Sequence, residues 1–208
     1  MNKIKFSHVK ITINRNKINK IINILKLENK SSVLARLNSK NITTYINRVV
    51  ASDQLKLYLA FYKKKIIGYA VVAEKPEYLT SNFKDFKYNF ILDLLLNFNF
   101  STIINLIIFS TGIENFLISG KEKKILQNSA NLNLLAIDRS FQSKGLGKKF
   151  MNFIINDLTS NIKNRILSCE TDNNRSKNFY IKKLKFKEIG KKIRFPFFTT
   201  VLTKKLNN

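Results

Sequence analysis

The stretch Leu132–Phe150, Leu-Asn-Leu-Leu-Ala-Ile-Asp-Arg-Ser-Phe-Gln-Ser-Lys-Gly-Leu-Gly-Lys-Lys-Phe, decides how this chain reads. Leu132 to Ile137 is an apolar run with strand character, a short polar turn follows, and from Lys148 the apolar spacing becomes helical. Between turn and helix lies Gln142-Ser143-Lys144-Gly145-Leu146-Gly147, which holds two of the chain's six glycines. Glycine lets the backbone turn sharply and aim successive N–H groups one way. A helix begun directly afterwards adds its own unpaired first-turn N–H groups and positive dipole end. Together these make a cradle for a pyrophosphate. A glycine loop alone is as readily an ordinary turn. This one is neither the three-glycine dinucleotide fingerprint nor a phosphate loop ending in Gly-Lys-Ser/Thr.

Downstream, Lys148 to Ser160 is an amphipathic helix with Phe150, Phe153, Ile154 and Leu158 inward, and Arg165 to Glu170 is a strand. Asn173 to Leu184 is a helix introduced by the capping residues Asp172 and Asn173. Phe186–Ile193 and Phe197–Leu206 close the chain as two strands, with Pro196 in the turn. Upstream, Ile4–Asn14 reads as a strand and Lys17–Leu27 as a short helix. Ser31 or Ser32 caps a second helical segment running to about Val50. Leu55–Tyr62 and Ile66–Ala73 form a hairpin around Lys63-Lys64-Lys65, a solvated basic turn. From about 77 to 127 the pattern is a helical insertion. Phe83, Phe86, Phe90, Leu94 and Phe98 share one face, and Ile103–Phe109 is a second apolar run. Asp93, Asn97, Asn99 and Asn105 interrupt the apolar length a membrane span needs. The expectation is a pair of apolar helices packed on the domain or walling a substrate site, with any membrane contact peripheral. The order as a whole reads as one α/β domain of mixed sheet.

The 208 residues can bury a substantial core, and 44% hydrophobic with 12% aromatic residues is a globular composition. A single cysteine, Cys169, excludes an internal disulfide framework. Met1–Lys20 lacks the apolar segment of a secretory signal, so a cytoplasmic protein is expected. The formal net charge of +25 invites a polyanionic partner. Yet the lysines are dispersed and the phenylalanines read as core, which disfavours a nucleic-acid-binding module. Lone His8 reads as structural, and no metal site is expected.

Asn173-Asn174-Arg175-Ser176-Lys177-Asn178-Phe179-Tyr180 resembles the pattern Asn-x-x-Ala-x-x-Phe-Tyr, and Gln142–Gly147 matches Gln/Arg-x-x-Gly-x-Gly/Ala. Together they resemble the GNAT N-acetyltransferase superfamily over Leu132–Ile189. Upstream the likeness rests on element order. The resemblance implies a GNAT-like acyl-CoA N-acyltransferase fold, with a central, mostly antiparallel sheet flanked by helices. It also implies a single acetyltransferase domain over 1–208, with the cofactor-binding core at about 130–190.

By the same resemblance, acetyl-CoA is the acyl donor and an amine the acceptor. The backbone of Leu135, Ala136 and Ile137 would pair with the pantetheine arm. Gln142 and the N–H groups of Ser143, Lys144, Gly145, Leu146, Gly147 and Lys148 would hold the pyrophosphate. Asn173 would touch the pantetheine side, and Tyr180 would sit near the sulfur as the acid for the departing thiolate. Cys169 is not needed as a nucleophile and reads as a buried strand residue.

The family often places a glutamate where this chain has Ser168. Glu170, two residues on and on the same face, is the candidate base, with Glu74 or a water chain as alternatives. Two departures stand out: Ser176 replaces the small Ala, and Tyr180–Phe186 is one residue longer than Tyr-x-x-x-Gly-Phe and lacks the glycine. The apolar insertion and the length resemble polysaccharide-biosynthesis members, which makes an amino sugar, or a nucleotide-linked one, the preferred acceptor. Alternatives are a protein or peptide N-acetyltransferase, a non-catalytic acyl-CoA-binding protein, or a basic nucleic-acid-binding module. A monomer or homodimer is expected.

Overall fold

In the computed structural model, residues 4–10, 12–81, 93, 100–161 and 166–206 are described. The chain begins with β1 (Lys5–Val9), α1 (Arg15–Glu28) and α2 (Ser39–Ala51). The hairpin β2 (Leu55–Tyr62) and β3 (Lys65–Ala73) follows, turning on Lys63 and Lys64, both in the left-handed region. Asn14 and Asn38 cap α1 and α2, each side chain accepting from the backbone N–H three residues on. Ser32 caps only a 3-10 turn, Val33–Arg36, so the single helix expected from Ser31 or Ser32 to about Val50 is two separate pieces.

The described parts of the insertion are helical: α3 (Glu77–Ser81), α4 (Phe100–Thr111), a 3-10 turn at Ile113–Asn115, and α5 (Gly120–Gln127). The aromatic face expected of Phe83, Phe86, Phe90, Leu94 and Phe98 lies outside the described residues. Among those described, no helix is long and apolar enough to cross a membrane. Asp93 is buried, and its carboxylate accepts from the Asn38 backbone N–H and from Asn41 Nδ2, each at 2.8 Å. An anion at the N-terminus of α2 meets that helix's unpaired N–H groups and positive dipole end. Asn105 grips the backbone of Phe195, donating to its carbonyl at 2.8 Å and accepting from its N–H at 2.7 Å, and so fastens α4 to the last hairpin.

The remaining elements are β4 (Ala130–Ile137), α6 (Leu146–Asn161), β5 (Ile166–Thr171), α7 (Asn174–Asn178), β6 (Lys187–Arg194) and β7 (Phe197–Lys205). One seven-stranded sheet runs in the order β1-β2-β3-β4-β5-β7-β6. Only β4 and β5 are parallel neighbours, joined through α6. Two cores sandwich the sheet. On one face α1 and α2 bury Ile21, Leu25, Ile42 and Ile46 against Leu57, Tyr69 and Val71. On the other, Phe150, Met151, Ile154 and Leu158 of α6 meet Tyr58, Val72, Leu167 and Cys169. Mixed sheet, flanking helices and mostly antiparallel pairing are as expected from element order.

His8 lies in this scaffold, stacked on Tyr58 with ring centroids 5.0 Å apart and 3.8 Å from Asp157. Burial holds its pKa below the usual histidine value, against the pull of Asp157. Its surroundings are those of a structural histidine.

Candidate functional site

β4 carries the feature that opens the sheet. Val71 faces Leu134 and Val72 faces Leu132, so Asn133 is an extra residue, a bulge, on β4. Without it Leu132 and Leu134 would share a face, since strand side chains alternate. With it, Leu132 packs on the α6 side and Leu134 and Ala136 on the α1 side. Pairing with β5 ends at the same place. Ala130–Leu132 pair with Leu167–Cys169, and from Asn133 to Ile137 β4 has no strand partner on its β5 side among the described residues. That stretch of β4 includes Leu135, Ala136 and Ile137, the three residues expected to line a ligand arm, of which Ile137 has its carbonyl bonded by the Gln142 side chain.

At the C-terminal end of that edge stands the glycine loop. The helix begins at Leu146, two residues earlier than the spacing suggests, so Gly147 and Lys148 belong to its first turn. Gly145 has φ +73° and Ser143 φ +62°, a left-handed pair flanking Lys144. No backbone N–H from Ser143 to Lys148 has a partner among the described residues. Six donors thus lie in sequence at a helix N-terminus, beside the stretch of β4 that β5 does not pair, a geometry suited to an anion. A Cβ on Gly147 would lie 3.3 Å from the ring of Phe179, the residue that follows α7, so this glycine allows α6 to approach that segment closely.

The structure separates Gln142 from that set. Its Nε2 donates to Glu28 Oε2 at 2.9 Å and to the Ile137 carbonyl at 2.7 Å, and its backbone N–H bonds Arg139. Every Gln142 donor is thus used inside the protein, where it ties the loop to β4 and α1. Lys20 supports the same tie through Asp138 at 3.1 Å. The Ser140 hydroxyl, together with Lys20, keeps Asp138 below the usual carboxylate range. Lys144 folds back onto the Ser140 carbonyl at 3.2 Å and over the Phe141 ring, while Lys148 is exposed.

Across the gap, Asn173 caps α7, its Oδ1 accepting from Ser176 N at 2.7 Å. The chain then winds into a π-helical turn, Phe179–Lys183. That wider turn absorbs the one residue by which Tyr180–Phe186 exceeds the family spacing, and Lys185, with φ +61°, takes the left-handed position where the pattern has glycine. Tyr180 stays in place, 7% exposed between Phe179 and Phe186 and lining the groove. Burial, with Cys169 beside it, pushes its phenol well above the usual value, so it holds its proton. Burial likewise raises the Cys169 thiol, whose side chain lies in the core.

Glu170 and Ser168 share the opposite face of β5 from Cys169. Ser168 is sealed among Ser129 (2.7 Å), Asn131 (3.3 Å) and the Ala130 carbonyl (3.1 Å). Glu170 belongs to a four-charge cluster that sequence reasoning missed. Lys192 Nζ lies 2.7 Å from Glu170 and 3.7 Å from Glu114, and Arg194 lies 2.6 Å from Glu114 and 3.4 Å from Glu170. Burial alone would raise the Glu170 carboxyl, but Lys192 and Arg194 outweigh it and hold it below the usual range. The alternation Lys192-Ile193-Arg194 places both cations on one face of β6. Glu114, from the insertion, has no local signal that would link it to them. Glu74 pairs with Lys56 at 3.6 Å and is not among the groove-lining residues, which leaves it out of the site.

Residues 119–186 match the acetyltransferase (GNAT) family. Among solved structures, an acetyltransferase of the GNAT family from Desulfovibrio desulfuricans is 11% identical, with TM-score 0.60 over 99% of this chain and 100% of that one. A ribosomal-protein-S18-alanine N-acetyltransferase from Escherichia coli is 10% identical, with TM-score 0.55 over 99% and 96%. A GNAT family acetyltransferase from Elizabethkingia anophelis with acetyl-CoA bound is 14% identical, with TM-score 0.52 over 98% of each chain. No curated protein matches. At these identities the structures speak to fold, and the matched segment speaks to family. Residues 119–186 carry the acetyltransferase (GNAT) pattern, and the chain as a whole has the fold of solved GNAT acetyltransferases. Enzymes of this family use acetyl-CoA, and the six free N–H groups and open β4 edge fit such a ligand.

Proposed function

We propose that this protein is an acetyl-CoA-dependent N-acetyltransferase of the cytoplasm, acting on a small polar amine, with an amino sugar or a nucleotide-linked amino sugar as the preferred acceptor. The observation that carries the reading is the end of β4–β5 pairing at Leu132, which leaves a free strand edge leading straight to the unpartnered N–H groups of Ser143–Lys148. The main chain of Leu135–Ile137 holds the pantetheine arm as an added strand would, and the loop holds the pyrophosphate. Acetyl-CoA supplies the activated acetyl group. Asn173, its Oδ1 committed to capping, turns its remaining amide edge to the arm.

Transfer requires a neutral amine beside the thioester and a proton for the sulfur as it leaves. Tyr180, a protonated phenol lining the groove, is the donor in this reading. Glu170, offered by the sequence as a base, is held ionised by two cations and is correspondingly reluctant to take a proton. In this reading its carboxylate helps anchor the acceptor's polar groups, and the amine proton leaves through water in the open groove. Asn131, Ser168, Glu170, Lys192 and Arg194 give the acceptor end a polar lining with charges of both signs, suited to a hydroxylated amine. The dispersed positive charge draws a phosphate-bearing acceptor more readily than a polycationic one.

The test is thiol release from acetyl-CoA against a panel of amino sugars, nucleotide-linked amino sugars, peptides and polyamines. Turnover with the sugar amines is expected. Turnover confined to peptides would replace the acceptor assignment, and no binding of acetyl-CoA would remove the reading. Tyr180→Phe should bind acetyl-CoA normally and lower kcat by roughly 10²-fold. An unchanged kcat would show that another group protonates the sulfur.

A further inference from the structure

The described residues carry eight large apolar side chains that are exposed, seven of them on α4, the turn after it and the last hairpin, and the eighth, Leu27, on α1. Phe100 and Ile107 stand on α4, Ile113, Phe116 and Leu117 on the turn that follows, and Phe195 and Phe198 at the tip of the last hairpin. Phe116 is 79% exposed and Phe100 72%. The Asn105 clamp joins α4 to Phe195, and the Leu117 carbonyl lies near Gly190 of β6, so these residues occupy one end of the molecule. Single exposed apolar residues are ordinary, but a gathered set of aromatics marks a surface that is covered in use.

The flanking charge says by what. Lys121, Lys123 and Lys124 on α5 and Lys191 on β6 are exposed beside the apolar set. Nearby acids are already engaged: Glu122 turns back to the Ser119 N–H at 3.0 Å, and Glu114 is paired with Arg194 and Lys192. Protruding phenylalanines and isoleucines, with exposed lysines on the adjoining α5 and β6, match the boundary between headgroups and acyl chains of an anionic bilayer. We propose that this end docks onto a membrane surface rich in anionic phospholipid, with the apolar side chains inserted at the interface and the lysines on the headgroups. Ile107 and Phe195 also line the groove, so docking would bring the acceptor side to the lipid surface. It would do so whichever amine is acetylated.

Co-sedimentation of the full chain with vesicles tests this directly, using phosphatidylcholine alone and phosphatidylcholine mixed with phosphatidylglycerol. The protein should sediment with the mixed vesicles, at least tenfold less with the neutral ones, and should be released by raised salt. The double variant Phe100→Ser/Phe116→Ser should lower partitioning roughly tenfold or more, and Lys123→Glu/Lys124→Glu by a similar factor. The chain has no tryptophan, so Phe116→Trp provides a single reporter whose emission should shift to the blue on mixed vesicles. The proposal is overturned if neither vesicle is bound, if the serine variant partitions like the parent, or if sedimentation occurs without the emission shift. A concentration-dependent dimer in solution that Phe116→Ser dissolves would equally overturn it, assigning this face to a second copy.

Discussion

Gly145 and Lys185 both sit in the left-handed region, with opposite consequences. Nothing lies within 4 Å of where a Cβ on Gly145 would be, so the cost of a side chain there comes from φ and from the ligand's space, not from crowding. Gly145→Val is expected to weaken acetyl-CoA binding at least tenfold by calorimetric titration, and to lower stability by about 1 kcal/mol. Full affinity in that variant would move the pyrophosphate elsewhere. Lys185 occupies a conformation that favours glycine, so Lys185→Gly should raise the urea midpoint, corresponding to about 0.5–1 kcal/mol. A loss of stability there would show that the lysine side chain matters more than its backbone. The left-handed demand at Gly145 was legible in the sequence because glycine announces it. At Lys185 it was hidden, because the residue that adopts it does not.

Among the elements, the helices and the hairpin follow from apolar spacing and turn chemistry, and the Asn173–Tyr180 segment is where its motif suggests. The β4 bulge was not legible. Leu132, Leu134 and Leu135 form an apolar run that fits a buried strand in either parity, and only pairing with β3 exposes Asn133 as the extra residue. The π-helical turn was similarly hidden: an excess of one residue says that something must give, without saying where.

The Glu114–Arg194–Glu170–Lys192 cluster joins the insertion, β5 and β6 across large sequence separations, which no local pattern encodes. It has a pH signature. The folded pKa of Glu170 lies below its ordinary value of 4.5, so its contribution is present above that value and fades as pH falls through the depressed one. Glu170→Gln should therefore cost about 2 kcal/mol near neutral pH, in urea unfolding. The difference from the parent should shrink as pH falls below the ordinary carboxylate range. A difference that does not depend on pH would mean the carboxylate contributes by shape alone.

For the molecule as a whole, one sheet with a core on each face positions two edges of one gap. α1 and its ties through Glu28 and Lys20 steady the loop side, while α7 and the π turn set Tyr180 on the other. The glycine loop and the capping asparagine announce the donor half of the site in sequence, because binding by main-chain groups demands particular residues at particular places. The proposed acceptor half draws its side chains from β4, β5 and β6, and so emerges only once these are folded together.

The central claim is that acetyl-CoA lies between β4 and β5 with its pyrophosphate on the loop. Amide hydrogen exchange with and without acetyl-CoA tests it most directly. Slowed exchange is expected at Ser143–Lys148 and along the β4 edge from Leu135 to Ile137, with little change in β1 and β2. Binding that leaves those amides exchanging at the free rate would contradict it.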